Sequence, residues 1–281
     1  MVAVSSPAKV LVTGANGYLA VWIVKKYLEF GYSVRGTVRC LSKGAFLKER
    51  FAEYGERLEL VVVEDITKDG AFDEVVKGVD AIVHTASPFH YNAIDPGGTS
   101  NSSRNILNVY AVGDAFHTEL IVPAVLGTTS ILNSALKYGT GVKRIVLTSS
   151  VAAMREEDST PCEYDETSWN KAAIAEVASK GTAAGPIKIY SVSKTLAENA
   201  AWKFVAGNKA ELAWDLVVIN PPWIFGVRFQ SPHCGALTGL NFLWPRPKHS
   251  RLLAPRRRST TSTRPSGRST TRSWVRGQAR S

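Results

Sequence analysis

The chain reads as a doubly wound α/β domain built on a parallel sheet. Short β-branched runs alternate along it with amphipathic segments. The runs are continuously apolar rather than alternating, as expected for strands covered by helices on both faces. A glycine-rich turn follows the first run and opens a helix. With 281 residues, 44% of them apolar, the chain can bury an ordinary core, which excludes disorder throughout.

The expected strands, in order, are residues 9–13, 33–39, 58–64, 81–85, 144–149 and 215–220, with helical stretches between most of them. Two stretches break this rhythm. Residues 97–118 begin Gly97-Gly98-Thr99-Ser100 and stand where a short strand-to-helix connection would suffice, so they read as an atypical insertion. After Asn220-Pro221-Pro222 the pattern stops. Residues 1–226 are therefore expected to form a dinucleotide-binding domain, 227–244 a remnant of a substrate lobe, and 245–281 a basic tail. The tail is rich in Arg, Ser, Thr and Pro, a composition that cannot bury enough surface to offset chain entropy, and it is expected to be disordered.

Charge is divided along the same line. Lys and Arg number 34 against 24 Asp and Glu, a formal +10, but residues 245–281 hold 11 basic residues and no acidic one. The first 244 residues carry 23 basic against 24 acidic side chains, so the body is near neutral. Attraction to nucleic acid or an anionic surface is thus a reading for the tail alone. The tail lacks the interleaved aromatics of a single-strand binder, so nucleic acid is not the expected partner. Cys40, Cys162 and Cys234 are far apart and show no metal-ligand spacing, so neither a disulfide framework nor a metal site is expected. There is no long wholly apolar run for a membrane span and no leader pattern at the start, so the expected compartment is the cytoplasm.

Several motifs carry chemistry. Thr13-Gly14-Ala15-Asn16-Gly17-Tyr18-Leu19-Ala20 lies between the first strand and the first helix, the context a dinucleotide fingerprint requires. Glycines there admit a pyrophosphate to the backbone, and the helix N-terminus offers unpaired N–H groups. Where an NAD-binding chain would present an acidic residue to the ribose hydroxyls, this one presents Arg39, with Lys43 a turn further on. A guanidinium suits a 2′-phosphate, so NADPH is the expected cofactor. Asp65-Ile66, after the third strand, stands where the adenine would lie, or else caps the following helix. Thr85-Ala86-Ser87, after the fourth strand, supplies small residues for the passage of the phosphates and nicotinamide ribose. His84 just before them reads as a packed strand residue, since the sequence gives it no nucleophile or metal partner.

The strongest signal is Tyr190-Ser191-Val192-Ser193-Lys194, continued by Thr195-Leu196-Ala197-Glu198. Residues four apart on a helix share a face, so the tyrosine hydroxyl and the lysine ammonium can converge on one site. A nearby cation stabilises a phenolate and brings a tyrosine closer to useful acid–base chemistry. Alone, Tyr-x-x-x-Lys is common and mostly structural. It gains weight from Thr148-Ser149-Ser150 at the end of the fifth strand, where a serine hydroxyl can hold a carbonyl oxygen while the tyrosine protonates it.

Taken together with Val38-Arg39, His84-Thr85-Ala86-Ser87-Pro88-Phe89 and Asn220-Pro221-Pro222, these motifs resemble the extended short-chain dehydrogenase/reductases, over about residues 8–226. The branch they resemble is that of the NADPH-dependent methylglyoxal/aldehyde reductases and dihydroflavonol-reductase-like enzymes. The resemblance implies a Rossmann sheet with an incomplete C-terminal substrate lobe. It also implies reduction of an aldehyde or ketone by hydride transfer from NADPH. In that family Ser150 orients the carbonyl, Tyr190 is the general acid, and Lys194 lowers the tyrosine pKa and holds the nicotinamide ribose. Gly14, Asn16, Gly17, Tyr18, Leu19, Arg39, Lys43, Asp65, Ile66, Thr85, Ala86, Ser87 and Pro221 would hold the cofactor, and Phe89, Val151 and Trp223 would wall the substrate.

Two other readings stand beside the reductase: a remnant that holds NADPH without turnover because its lobe is missing, and a tail that binds nucleic acid or an anionic surface. The segment from Gly97 to about Phe116 is expected to derive from a retained intron, and the foreign end, 230–281, from a shifted frame or an unspliced intron. Peptide mapping of native protein by mass spectrometry is expected to miss both; recovery of both as written would overturn that origin.

Overall fold

In the computed structural model, residues 4–87, 120–156, 162–227 and 274–277 are described. Phe89, the insertion at 97–118 and most of the tail lie outside these residues. The described residues form one sheet with strand order β3-β2-β1-β4-β5-β6-β7. The strands are β1 (Lys9–Thr13), β2 (Ser33–Val38), β3 (Leu58–Val62), β4 (Ala81–His84), β5 (Arg144–Thr148), β6 (Asp215–Asn220) and β7 (Trp274–Gly277). The first six pair in parallel, as the continuous apolar runs predicted. The seventh departs from the expected disorder: the tail's composition gave no strand signal, yet Trp274–Gly277 pairs antiparallel with β6.

The helices are α1 (Tyr18–Glu29), α2 (Leu41–Arg50), α3 (Ile121–Tyr138), α4 (Lys171–Lys180) and α5 (Pro186–Gly207). Successive residues of a strand point to opposite faces, and in β1 both faces are covered. Val10 and Val12 pack with Val21, Val24 and Leu28 of α1, whereas Leu11 between them packs with Ile131 and Leu132 of α3. That is why the sequence shows no polar alternation in this strand. A third cluster joins Ile121 and Val125 of α3 to Val177 of α4 and to Val192 and Leu196 of α5.

Local chemistry sets the helix ends. Asn170 caps α4, its side chain accepting from the Ala173 N–H at 3.0 Å. Pro186 opens α5, where its missing N–H costs nothing. The Arg144 guanidinium grips the Asp215 carboxylate in a two-pronged pair, 2.7 Å from Nε to Oδ1, and ties the starts of β5 and β6 across register partners.

The strand order reverses between β1 and β4, and there the chain lays down the glycine-rich turn. Gly14 donates to Thr37 Oγ1 at 3.0 Å and the Ala15 N–H to the Thr37 carbonyl at 2.9 Å, so the turn rests on the end of β2. Gly36 permits that approach, because a Cβ on it would lie 2.8 Å from the Ala15 Cβ and 3.1 Å from Leu60 Cδ2. Gly36→Val is expected to destabilise the fold by about 1–3 kcal/mol through overpacking, read as a lower urea midpoint at unchanged slope.

Candidate active site

The predicted site residues that are described converge on the C-terminal edge of the parallel sheet, where open α/β sheets bind ligands. Gly14, Asn16 and Gly17 form the turn after β1, and Tyr18 and Leu19 begin α1. Gly14 has φ +63°, a left-handed conformation suited to glycine. A Cβ there would lie 3.2 Å from Ala86 Cα, so glycine keeps this cradle open. Gly17 stands before α1 and gives it no side-chain cap, which leaves the first-turn N–H groups available to an anion. The Tyr18 hydroxyl donates to the Gly226 carbonyl at 2.7 Å and so ties the start of α1 to the segment after β6.

One hydroxyl orders the neighbouring loop. Thr13 Oγ1 receives the N–H groups of Thr85 at 3.1 Å and Ala86 at 3.0 Å, which leaves its single proton for His84 Nδ1, 3.0 Å away. Nδ1 is then an acceptor, and neutral His84 carries its proton on Nε2. Burial, with the Lys194 ammonium as a second cause, pushes the His84 pKa down to about 3. Its ring packs edge-on against Phe72, with centroids 6.0 Å apart. His84 is thus a packed, neutral strand residue, as the sequence predicted.

Arg39 and Lys43 are exposed, Arg39 just after β2 and Lys43 in the first turn of α2. Asp65 follows β3 and accepts from Thr67 N at 2.9 Å and from Thr67 Oγ1 at 2.7 Å. Those hydrogen bonds lower its pKa, and the positive charges of Lys68 and Arg39 add to the effect. Arg39 and Asp65 therefore share one corner of the sheet edge. Ile66 behaves differently: its side chain packs against Gly127 of α3 and joins the core.

Tyr190 and Lys194 lie on α5, one turn apart. The Lys194 ammonium is 5.9 Å from the centroid of the Tyr190 ring and donates to Ser87 Oγ at 3.2 Å. Burial lowers its pKa to about 8, against an opposing pull from Glu198 one turn further on. Thr195 Oγ1 donates to the Ser191 carbonyl of its own helix at 2.8 Å and lies 3.3 Å from the Ala153 carbonyl, where α5 meets the short turn that Ser150 and Val151 begin. Ser150 Oγ accepts from Ala152 N at 3.2 Å, and Val151 N donates to the Pro221 carbonyl at 3.0 Å. Trp223, beyond Pro221, is 60% exposed.

Three residues to which sequence reasoning assigned no role meet beside the site. Glu198, 1% exposed, accepts from Ser149 Oγ and from Asn220 Nδ2, each at 2.7 Å. A sequence signal was available: Glu198 is a carboxylate among Ala197, Ala200 and Ala201 on a helix, four residues from Lys194.

Residues 10–238 match the NAD dependent epimerase/dehydratase family. The chain belongs to that family. The match extends past residue 226, where the resemblance in the motifs ended, and overlaps the stretch from Gln230 that had read as foreign. Among similar proteins, Ketoreductase azaE of Aspergillus niger is 39% identical over 237 residues, covering 83% of this chain and 61% of that protein. Aldehyde reductase 2 of Sporidiobolus salmonicolor is 39% identical over 216 residues, covering 75% of this chain and 56% of that protein. A crystal structure of the yeast methylglyoxal/isovaleraldehyde reductase Gre2 complexed with NADPH matches with a TM-score of 0.63 at 34% identity, over 78% of this chain and 59% of that one. The chain spans about three fifths of the length of these relatives. These likenesses bear out the family and the reductase branch read from the motifs.

The protonation of His84 has a consequence for this epimerase/dehydratase-family sheet. Between about pH 6.5, the ordinary histidine value, and about 3, the unfolded chain binds a proton that the folded chain refuses. Stability should therefore fall with acidification through that window, by up to about 1.4 kcal/mol per pH unit. His84→Asn, which keeps an acceptor for Thr13, is expected to flatten the slope, measured as urea midpoints at successive pH values.

Proposed function

We propose that the chain reduces a small aldehyde or ketone to its alcohol with NADPH, in the reducing environment of the cytoplasm. The observation that carries this reading is the placement of Tyr190 and Lys194 on one turn of α5, with the lysine on Ser87 and the Ser149-Ser150 end of β5 on the adjoining strand edge. The names of the relatives, a ketoreductase and an aldehyde reductase, support it. Among the described residues no helix is long and apolar enough to cross a membrane.

The residues present fit the cofactor. The cradle that a Cβ on Gly14 would fill, the uncapped start of α1 at Gly17, and exposed Arg39 and Lys43 would receive its phosphates, Arg39 taking the 2′-phosphate. Asn16, Tyr18, Leu19, Asp65, the main chain of Ile66, Thr85, Ala86, Ser87 and Pro221 would line its course. Bound there, NADPH supplies the hydride. Ser150 would hold the carbonyl oxygen through its hydroxyl, and Tyr190 would give that oxygen its proton. Lys194 would stabilise the phenolate left behind and hold the ribose. Val151 and exposed Trp223 would face the substrate.

The deciding assay is NADPH oxidation with methylglyoxal and a panel of aliphatic and aromatic aldehydes. Tyr190→Phe is expected to lower kcat by about 10²–10⁴ while NADPH binding, followed by fluorescence titration, persists. Binding without turnover in the unaltered protein would favour the cofactor-holding remnant instead. Arg39→Ala is expected to weaken NADPH binding roughly 10- to 100-fold, the loss of charged hydrogen bonds, and to leave NADH binding nearly unchanged. Equal losses for the two cofactors would remove Arg39 from the 2′-phosphate site.

A further inference from the structure

The proposed reaction assigns no role to the most deeply buried charged side chain of α5. Glu198 is 1% exposed, and its carboxylate is held from several directions. Ser149 Oγ donates to Oε2 at 2.7 Å from the end of β5, Asn220 Nδ2 donates to the same oxygen at 2.7 Å from the end of β6, and Trp202 Nε1 approaches Oε1 at 3.4 Å. Burying a carboxylate is costly unless donors surround it, and a network of this kind fixes its members strongly once complete. The same Asn220 nitrogen donates to the Ser150 carbonyl at 3.0 Å. Both of its partners are acceptors, which fixes the amide orientation. Glu198 is therefore linked through Asn220 to the segment carrying Ser150. On its own helix it stands one turn beyond Lys194, and the two side chains line one small cavity with His84, Ser87 and Ser149.

We propose that Glu198 is a positioning residue: its carboxylate, anchored to the ends of β5 and β6, keeps the Lys194 ammonium charged and in register with Ser150. This rests on the reading of Ser150, Tyr190 and Lys194 as the reducing group. Among the described residues, the titratable groups around Lys194 are Tyr190 and Glu198 on α5 and His84 on β4; the neighbouring Thr128 of α3, Thr148 of β5 and Ser149 just after it carry no charge. His84 is neutral above about pH 3 and opposes the ammonium where charged, so the carboxylate is the group that favours it.

The test reads the lysine directly. In protein carrying ¹³C-labelled lysine and glutamate, with the Lys194 signal assigned by its loss in Lys194→Met, the titration midpoint of Lys194 is followed by NMR without cofactor or substrate. The midpoint is expected near pH 8 in the unaltered chain. It should move to lower pH in Glu198→Gln, and Glu198→Asp, which restores the charge, should return it toward the original value. An unchanged midpoint in folded Glu198→Gln protein would overturn the proposal. Should that variant fail to fold, the unaltered protein still decides, since the Glu198 carboxyl carbon must show an inflection at the Lys194 midpoint, and its absence would overturn the proposal equally. These titrations use no turnover, so an inactive chain would remove the reductase reading and leave this outcome legible on its own.

Discussion

The Thr13 hydroxyl accepts the N–H groups of Thr85 and Ala86 and gives its own proton to His84, locking the ends of β1 and β4 together where the order of the sheet reverses. The rest of the cradle follows from that lock. With Ala86 fixed, the distance between it and Gly14 is set, and only a residue without a Cβ fits that space comfortably. Thr37 completes the arrangement from β2 by receiving the Gly14 N–H on its hydroxyl and the Ala15 N–H on its carbonyl. Two buried threonines thus fix the surroundings of the glycine turn. A histidine serves beside them because Nδ1 can accept from the hydroxyl while the ring adds packing area against Phe72.

A second polar cluster does for β5 and β6 what Thr13 does for β1 and β4. Parallel strands end side by side without a hairpin to join them, so their last residues need fastening from elsewhere. Here Asn220 clips to the Ser150 carbonyl, Val151 to the Pro221 carbonyl and Ser149 to Glu198. Helix α5 can reach this cluster because Ala197, Ala200 and Ala201 let it lie close to its neighbours. Small side chains on one stretch and a carboxylate among them are two parts of the same solution. Closeness buries the carboxylate, and the strand ends supply donors that make its burial tolerable.

Where each of the six parallel strands begins was legible in the sequence; where it ends was less so. The expected runs at 33–39, 58–64, 81–85 and 144–149 start where the strands start but extend one or two residues too far. The overrun residues include Arg39, Thr85 and Ser149, which leave the ladder to serve the sheet edge. Val63 and Thr85 carry apolar and β-branched composition past the point where the strands end, and Arg39, Glu64 and Ser149 close the runs as polar residues, a boundary that periodicity has no means of marking. Tyr190 and Lys194 were legible because helical spacing puts them together. Glu198 was visible as a letter but silent as a function, because its partners Ser149 and Asn220 are far away in sequence and meet it only through the parallel pairing of β5 with β6. The strand at Trp274–Gly277 was hidden for a different reason: an antiparallel edge strand can form on main-chain hydrogen bonds with little apolar signal of its own.

The two clusters also divide the electrostatics of the sheet edge. At the β1–β2 side the positive features are open to solvent, namely the start of α1, Arg39 and Lys43, and charge there can attract a phosphate at little cost because water still screens it. At the β4–β5 side the Lys194 ammonium is desolvated, which is why its pKa falls to about 8. A buried ammonium that must stay charged requires a fixed counter-charge close by, and neutral His84 cannot provide it. Glu198 can, and because its carboxylate is bonded to the strand ends it provides the charge at a set position rather than wherever a flexible side chain would drift. The open end is built to collect an anion and the closed end to hold a proton in place, and the crevice between β1 and β4 joins them.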